Sequence, residues 1–322
     1  MKKVLICGAT GFIGRNIAER LIETNNFEIY GTYLNSKTWA SPKIKMTRAD
    51  LTNKDEVERV TKGMDIIIQA AATTSGAKDI VTKPYYHVTD NVVMNAFIFR
   101  AAFQYRVSHL VFFSCTTMYQ SDDKPIKETD FNANKEFYSS YFGGAWTKVY
   151  NEKMCEFYSR IGQTKYTVIR HSNIYGPYDK FDLEKSHVFG ATITKVMTVK
   201  DGGKIVVWGQ GEEERDLLYV SDLVDFVEIA MDKQNDKFQL YNVGYGSSIS
   251  VSDLVKKIVI YSGKDISIEY DLSKPSIRTK LCLDITKARD QPGWSPKVTL
   301  EEGIKKTIAW YKINLAQKLC LA

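Results

Sequence analysis

Three regularly spaced glycines stand near the start of the chain, where residues 8–14 read GATGFIG. They follow a short apolar run, KKVLIC, and open a stretch in which Ile13, Ile17 and Leu21 recur at helical spacing. Glycines let the backbone approach a pyrophosphate closely, and the first helical turn adds N–H groups and a positive dipole end. This strand, turn and helix favour a dinucleotide site over a purely structural turn. Its predicted residues are Gly8, Thr10, Gly11, Phe12, Ile13 and Gly14.

Two later stretches could face the same cofactor. Asp50 and Leu51 follow the predicted third strand, where a carboxylate can accept a hydrogen bond from an adenine amino group. The other interpretation of Asp50 is that it caps the helix that follows. Ala70, Ala71 and Ala72 end the predicted fourth strand. Their small side chains leave room for a cofactor, although alone they would be ordinary core residues.

The elements that must position these residues alternate in type. Strands are predicted at KKVLIC, FEIYGTY, IKMTRADL, MDIIIQAAA, HLVFFSCTTMY and KYTVIRHSNIYGP, with helical patterns between them. This alternation predicts the α/β class, with a doubly wound parallel Rossmann sheet. The pattern weakens after Pro177. We therefore predict a dinucleotide-binding domain over residues 1–177 and a smaller mixed substrate lobe over 178–322, with some crossing back.

Composition limits the classes of function. The chain has 322 residues, of which 44% are hydrophobic and 25% charged, with a net charge of +6; these are ordinary values for a globular protein. Basic residues form no long run, so no nucleic-acid partner is expected. Five cysteines without a CxxC pair favour a reducing compartment and predict no metal site. No apolar run is long enough for a signal peptide or a membrane span, so we expect a cytoplasmic protein.

Taken together, the motifs resemble those of the extended short-chain dehydrogenase/reductases, a family of nucleotide-sugar epimerases, dehydratases and keto-sugar reductases. The resemblance covers nearly the whole chain and is carried by GATGFIG, DLTN, AAA, FFSCTTMY, HSNIYGP, VVWGQGEEERDLLYVSDLV and GWSPKVTLEEGIKKTIAWY. It implies a nicotinamide cofactor, with NAD(H) slightly favoured over NADP(H). The end of the second strand, GTYLNSKT, has neither an acid for the ribose hydroxyls nor an arginine, and Lys37 could reach a 2′-phosphate.

Within the family, HSNIYGPYDKFDLEKSHVFGA is most similar to GDP-L-fucose synthases, which implies a substrate site on this segment and beyond. Asn173 matches an asparagine that contacts the sugar diphosphate, and Arg215 matches an arginine that grips its phosphates. His187 matches the acid of fucose-synthase epimerisation, or else forms a polar wall of the pocket. The implied substrate residues are Asn173, His187, Val188, Lys195, Trp208 and Arg215.

The catalytic positions depart from the family pattern. In the family, a Ser or Thr on the fifth strand works with a Tyr that transfers the hydroxyl proton. A Lys lowers the pKa of that Tyr and holds the nicotinamide ribose. Lys148 is present here, but Gly144 occupies the Tyr position and Cys115 the Ser position.

Thr116 and Thr117 replace the acidic pair of the dehydratases, so 4,6-dehydration is disfavoured. Thr117 also stands where fucose synthases have a cysteine. Oxidation and reduction at sugar C4 needs neither pair. Possible substitutes for the missing acid are Tyr141, Cys115, Thr116 or a water, although ordinary aromatic packing also explains Tyr141.

The resemblance therefore implies hydride transfer at C4 of a nucleotide sugar, with a GDP-sugar favoured, by a dehydrogenase, reductase or 4-epimerase. Two alternatives remain: a fucose-synthase-like epimerase/reductase, and a non-catalytic nucleotide-sugar binder that has lost the proton relay. A homodimer is expected, formed by the helix NVVMNAFIFRAAF and the helix of Lys148.

Overall fold

A computed structural model describes residues 1–39, 41–74, 82–183, 186–274 and 279–315. The strands are β1 (Lys2–Cys7), β2 (Phe27–Tyr33), β3 (Ile44–Arg48), β4 (Ile66–Gln69), β5 (His109–Cys115), β6 (Lys165–His171), β7 (Asn173–Tyr175), β8 (Lys204–Trp208), β9 (Glu214–Tyr219), β10 (Phe238–Val243), β11 (Ser248–Ser250), β12 (Ser267–Asp271) and β13 (Lys280–Leu281). The helices are α1 (Phe12–Thr24), α2 (Lys54–Thr61), α3 (Thr89–Gln104), α4 (Phe142–Ile161), α5 (Val188–Thr198), α6 (Val220–Lys233), α7 (Val251–Ser262), α8 (Thr286–Asp290) and α9 (Leu300–Asn314).

Seven parallel strands form the central sheet, in the order β10-β6-β5-β4-β1-β2-β3. The chain runs outward from β1 through β2 to β3, and then from β4 on the other side of β1 toward β6. Strand order therefore reverses next to β1, and open α/β sheets bind ligands at the carboxyl ends of the strands at such a reversal. The predicted α/β class and Rossmann sheet are confirmed.

Both faces of the sheet are covered, as the continuous apolar strands predict. Along β1, Val4 and Ile6 pack with α1 and α6, whereas Leu5 and Cys7 pack with α2 and α3. This alternation follows from the period of two in a strand. Burial on both faces explains why the strands of the sheet lack polar alternation.

The segment predicted as one sixth strand is two strands that belong to different sheets. β6 ends at His171, and the last bond of its ladder with β10 runs from Ser172 N–H to Val243 O (3.0 Å). β7 then pairs with β9 in a smaller sheet of order β11-β9-β13. β10, from the later part of the chain, returns to the central sheet and pairs with β6.

The remaining strands and helices form a second layer of structure around their own core. β8 pairs with β12, and Tyr175, Phe189 and Ile304 are among the buried residues that join β7, α5 and α9. Within the described residues, no helix is both long and apolar enough to cross a bilayer.

Candidate functional site

The glycine turn between β1 and α1 lies at the reversal of strand order. Gly8 has a φ of +75°, which is unfavourable for other residues, and Gly11 N–H donates to Gly8 O (2.9 Å). A Cβ on Gly8 would lie 2.8 Å from the Cα of Ala71, and a Cβ on Gly14 would collide with Gly8 O. The turn therefore packs directly against the segment after β4 and leaves the first N–H groups of α1 at the strand ends, where a phosphate can bind.

The other predicted cofactor residues surround this turn. Ala70, Ala71 and Ala72 lie beyond the end of β4 rather than within it, and Ala70 N–H donates to Cys7 O (3.2 Å). Asp50 Oδ1 accepts hydrogen bonds from Thr52 N (2.9 Å) and Thr52 Oγ1 (2.6 Å). Those bonds hold the turn before α2, but the helix cap itself is Asn53.

Leu51 is buried in the core below the same strand ends. At the turn itself, Thr10 is half-buried, and Phe12 and Ile13 pack against the core from the first turn of α1.

Sequence reasoning missed two aromatic residues and one cationic residue beside the glycine turn. The indole N–H of Trp39 donates to Ala9 O (3.2 Å). The Arg15 guanidinium lies between the rings of Trp39 and Tyr178, at 5.2 Å and 3.8 Å from their centroids. Arginine stacks well on aromatic faces, so this stack joins α1 to the loop after β7. No periodic pattern marks Trp39, and only the fold brings these residues together.

Lys148 lies on the face of α4 that packs on β5. Its ammonium donates to Phe113 O (2.8 Å), which fixes it near the end of that strand. Burial lowers the pKa of Lys148, and the nearby Cys115 and Glu152 act in the opposite direction. The ammonium is therefore held in a weakly solvated position at the strand ends, where a nicotinamide ribose can be bound.

One helical turn before Lys148, Gly144 leaves an open space. A Cβ built on Gly144 meets no atom within 4 Å, whereas one on the preceding Gly143 would lie 2.8 Å from Val88 Cγ2. Glycine at 144 is therefore not required by packing.

Three candidate hydroxyl and thiol groups end β5. Cys115 Sγ lies 3.0 Å from Thr117 Oγ1, and Thr116 is buried. Tyr141 ends a short 3-10 helix (Ser139–Tyr141) just before α4, with its ring centroid 5.7 Å from that of Tyr138. Burial raises the pKa of Tyr141, while the Arg215 cation opposes this shift and Cys115 adds to it. Tyr141, Cys115 and Arg215 thus lie within electrostatic range of one another.

The predicted substrate residues lie on the other side of this cleft. Arg215, on β9, donates through one terminal nitrogen to Glu214 O and Thr279 O, both at 2.7 Å. Asn173 Nδ2 donates to Asp216 O (3.4 Å). Burial lowers the pKa of the Arg215 guanidinium. It remains a fork that can grip phosphate oxygens.

Helix α5 and strand β8 supply the other predicted substrate residues. His187 is the N-cap of α5 and is exposed to the cleft, and Val188 begins the helix. Lys195 donates to Val206 O (2.7 Å), and Trp208 ends β8 with 44% of its surface exposed. Burial lowers the pKa of His187, and the positive charges of Lys180 and Arg215 lower it further. His187 thus lies within electrostatic range of Arg215, whereas the Lys195 ammonium is bound to the backbone of β8.

A buried ion pair fixes α4 against β5 and β6. Arg170 binds Glu152 through both ends of its fork, with Nε–Oε1 at 3.0 Å and NH2–Oε2 at 2.6 Å. Both side chains are only 5% exposed. Ser114 Oγ also donates to Glu152 Oε1 (2.6 Å). Because Glu152 lies one turn after Lys148, this pair positions the lysine against β5.

The fold and the glycine turn define a dinucleotide-binding protein of the Rossmann type. Residues 4–244 match the model of the NAD dependent epimerase/dehydratase family, and the chain belongs to that family. The expected resemblance is thereby confirmed.

Similar proteins extend the match over the whole chain. A GDP-L-colitose synthase from Yersinia pseudotuberculosis is 29% identical over 314 residues, covering 96% of this chain and 97% of that protein. A GDP-L-fucose synthase from Azorhizobium caulinodans is 28% identical over 319 residues, covering 96% of each. Among solved structures, a UDP-glucose 4-epimerase from Thermotoga maritima, with UDP-glucose, has a TM-score of 0.85 and 27% identity, covering 97% of this chain and 99% of that one.

Proposed function

We propose that this protein is a nucleotide-sugar oxidoreductase that transfers a hydride between a nicotinamide cofactor and C4 of a GDP-sugar. One observation carries the proposal: the Lys148 ammonium is held on Phe113 O at the end of β5, beside the cleft that Arg215 faces. A binding protein that no longer reacted would have little use for a lysine in this position. The names of the two GDP-sugar synthases above support a guanine nucleotide.

In the proposed reaction, the residues of this chain bind and orient while the cofactor accepts or supplies the hydride. A bound nicotinamide would accept the hydride from C4 while the C4 hydroxyl gives up its proton. Lys148 would hold the nicotinamide ribose, and Arg215 and Asn173 would hold the diphosphate. Cys115 and Thr117, at the end of β5, orient the sugar hydroxyl.

The cofactor fits the residues around the glycine turn. A Cβ on Gly8 or Gly14 would clash with neighbouring backbone, and the open first turn of α1 can accept a pyrophosphate. We propose NAD(H), following the family description. Arg48, whose Nε donates to Leu34 O (3.2 Å) just after β2, is a cation beside the place where a 2′-phosphate would lie.

The loss of the family tyrosine is compatible with catalysis. A positioned acid or base contributes about 10²- to 10⁴-fold to the rate. Its loss therefore slows the reaction but does not abolish activity. Tyr141 is one substitute, because it shares the cleft with Cys115 and Arg215.

One observation favours a second candidate function. His187 is exposed to the cleft and lies within electrostatic range of Arg215, as an acid of a fucose-synthase-like epimerase/reductase would. That enzyme would exchange the C3 or C5 proton of a 4-keto sugar with solvent before reduction. Deuterium incorporation at C3 or C5 from D₂O therefore distinguishes it from simple hydride transfer at C4.

We also propose a homodimer formed by α3 and α4. Along α4, large apolar side chains are exposed at positions 142, 146, 150, 157 and 161, which fall on one helical face. Phe157 and Ile161 are 49% and 53% exposed. Lys153 and Arg160 lie on the same face, and an exposed apolar face of this kind is typical of a protein interface.

The test of function is the absorbance of the reduced nicotinamide, followed when the purified protein and cofactor are mixed with GDP-sugars. UDP-sugars serve as the control for the nucleotide base of the substrate. Lys148→Met serves as the control for the proposed catalytic site. We expect the reduced band to appear or bleach with one GDP-sugar, and at least 100-fold more slowly in Lys148→Met. Tight binding of cofactor and sugar without hydride transfer would instead favour the non-catalytic binder.

A further inference from the structure

His171 ends β6, and sequence reasoning did not single it out. It pairs in register with Cys115 at the end of β5. Side chains in register on neighbouring parallel strands lie on the same face of the sheet. The His171 ring also lies 6.2 Å from that of Phe113, the residue whose carbonyl holds Lys148. The imidazole therefore lies beside Cys115 and within electrostatic range of Lys148.

The hydrogen bonding of His171 fixes which nitrogen can accept a proton. Nδ1 lies 2.7 Å from Ser172 O. Because a carbonyl oxygen only accepts, Nδ1 carries the hydrogen and donates. In the neutral ring, Nε2 then holds the lone pair.

The surroundings of His171 keep the ring neutral. Burial, together with the charges of Lys148 on α4 and His187 before α5, lowers the pKa of His171 to about 4. The pKa of His187 is itself lowered by burial and by nearby cations, which include His87, just before α3, and Arg215, on β9. Three of the four histidines of the chain thus lie within electrostatic range of one another in turn, His171 with His187 and His187 with His87.

We propose that Nε2 of His171 takes over the proton transfer of the missing tyrosine, directly or through one water in the space at Gly144. This inference rests on the proposed hydride transfer at C4. When the hydride leaves C4, the hydroxyl O–H bond breaks and its proton moves to Nε2, giving an imidazolium beside a keto sugar. In reduction, the imidazolium returns the proton to the oxygen as the hydride arrives.

Binding of the anionic substrate favours the reduction step, in which His171 donates its proton. The diphosphate carries negative charge into a cleft that otherwise contains the cations of Lys148 and Arg215. A nearby opposite charge favours the protonated imidazole. Binding of the nucleotide sugar therefore raises the fraction of His171 that can donate.

The experiment is a double-mutant cycle between His171→Gln and Gly144→Tyr, with kcat and KM measured for the sugar that the wild type turns over. His171→Gln is expected to lower kcat by about 10²- to 10⁴-fold with little change in KM. In the Gly144→Tyr background, a phenol lies one helical turn before Lys148. There, His171→Gln should lower kcat by less than about 10-fold. Groups that perform one task show such non-additivity.

Two control variants and a binding measurement complete the design. Tyr141→Phe tests the competing tyrosine, and Lys256→Gln, at an exposed position of α7 outside the proposed site, should change kcat by less than about threefold. Titration of each variant with reduced cofactor shows whether the site has folded. If His171→Gln fails to bind, His171→Asn is used, since its shorter amide disturbs the strand end less.

Each outcome decides a different point. Hydride transfer that is unchanged in His171→Gln, or lost equally in both backgrounds, overturns the assignment of His171 and leaves the proposed function standing. A large loss in Tyr141→Phe alone would place the proton transfer on that tyrosine instead. No hydride transfer by the wild type with any GDP-sugar would overturn both proposals.

Discussion

Gly143 and Gly144 differ in what surrounds them, although both lie in the first turn of α4. Alanine is more favourable than glycine in a helix by about 0.5–1 kcal/mol. At Gly144 this gain meets no steric cost, because a Cβ has no neighbour within 4 Å. At Gly143 the Cβ would lie 2.8 Å from Val88 Cγ2. Val88 is a β-branched residue with few alternative rotamers, and overpacking of this kind costs about 1–3 kcal/mol.

We therefore expect Gly144→Ala to raise the free energy of unfolding by about 0.5–1 kcal/mol and Gly143→Ala to leave it unchanged or lower it. The two variants should differ by about 1–3 kcal/mol. For a chain of this length, 1 kcal/mol corresponds to a shift in Tm of only about 1–2 °C. Urea unfolding followed by circular dichroism is the better assay, with the midpoints compared at a common slope.

Two results would refute this reasoning. A Gly144→Ala variant less stable than the wild type would mean that the space at Gly144 is not open. Equal stability of the two variants would mean that the Val88 contact yields without cost. The same Gly144→Ala protein should keep its rate within a few-fold, because a methyl group leaves most of the space for water. A loss of 100-fold would show that the full opening is used in the reaction.

Other predictions concern the cofactor, the buried ion pair and the proposed dimer. Arg48→Ala should weaken NADP binding by about 10- to 100-fold through loss of a charged contact to the 2′-phosphate; calorimetric titration should show NAD binding unchanged, and an equal loss for both would contradict it. Arg170→Met should lower the free energy of unfolding by about 3–5 kcal/mol, because Glu152 would be left buried without its cation. In urea unfolding, adding Glu152→Gln should recover part of that loss, and a loss below about 1 kcal/mol would argue against the pair. Phe157→Lys, on the exposed stripe of α4, should shift the protein from dimer to monomer in sedimentation velocity, unless the wild type is itself a monomer.

The strands and helices of the Rossmann sheet could be predicted from the sequence because their patterns are local. FEIYGTY became β2 with the predicted bounds, Phe27–Tyr33. The fourth strand was predicted too long, since β4 ends at Gln69. Its partner β1 ends at Cys7, where the glycine turn begins, so the residues after Ala70 have no strand to pair with on that side.

What the sequence could not show depends on residues that are distant along the chain. The division into β6 and β7 follows from a change of partner, from β10 to β9, and no local pattern encodes it. His171 is an ordinary residue until the fold places it in register with Cys115. Gly144 and Lys148, by contrast, could be located because their spacing on one helix is fixed by its period.

The return of β10 to the central sheet has a consequence for how the chain acquires its fold. β6 pairs with β10 along its full length, from Tyr166 beside Phe238 to His171 beside Val243. Until residue 243 has been synthesised, the nascent sheet ends at β6, a strand with buried apolar residues and unpaired backbone groups. Such an edge readily pairs with another chain, so a fragment ending at Pro177 should aggregate. The later part of the chain therefore closes the sheet that the earlier part begins.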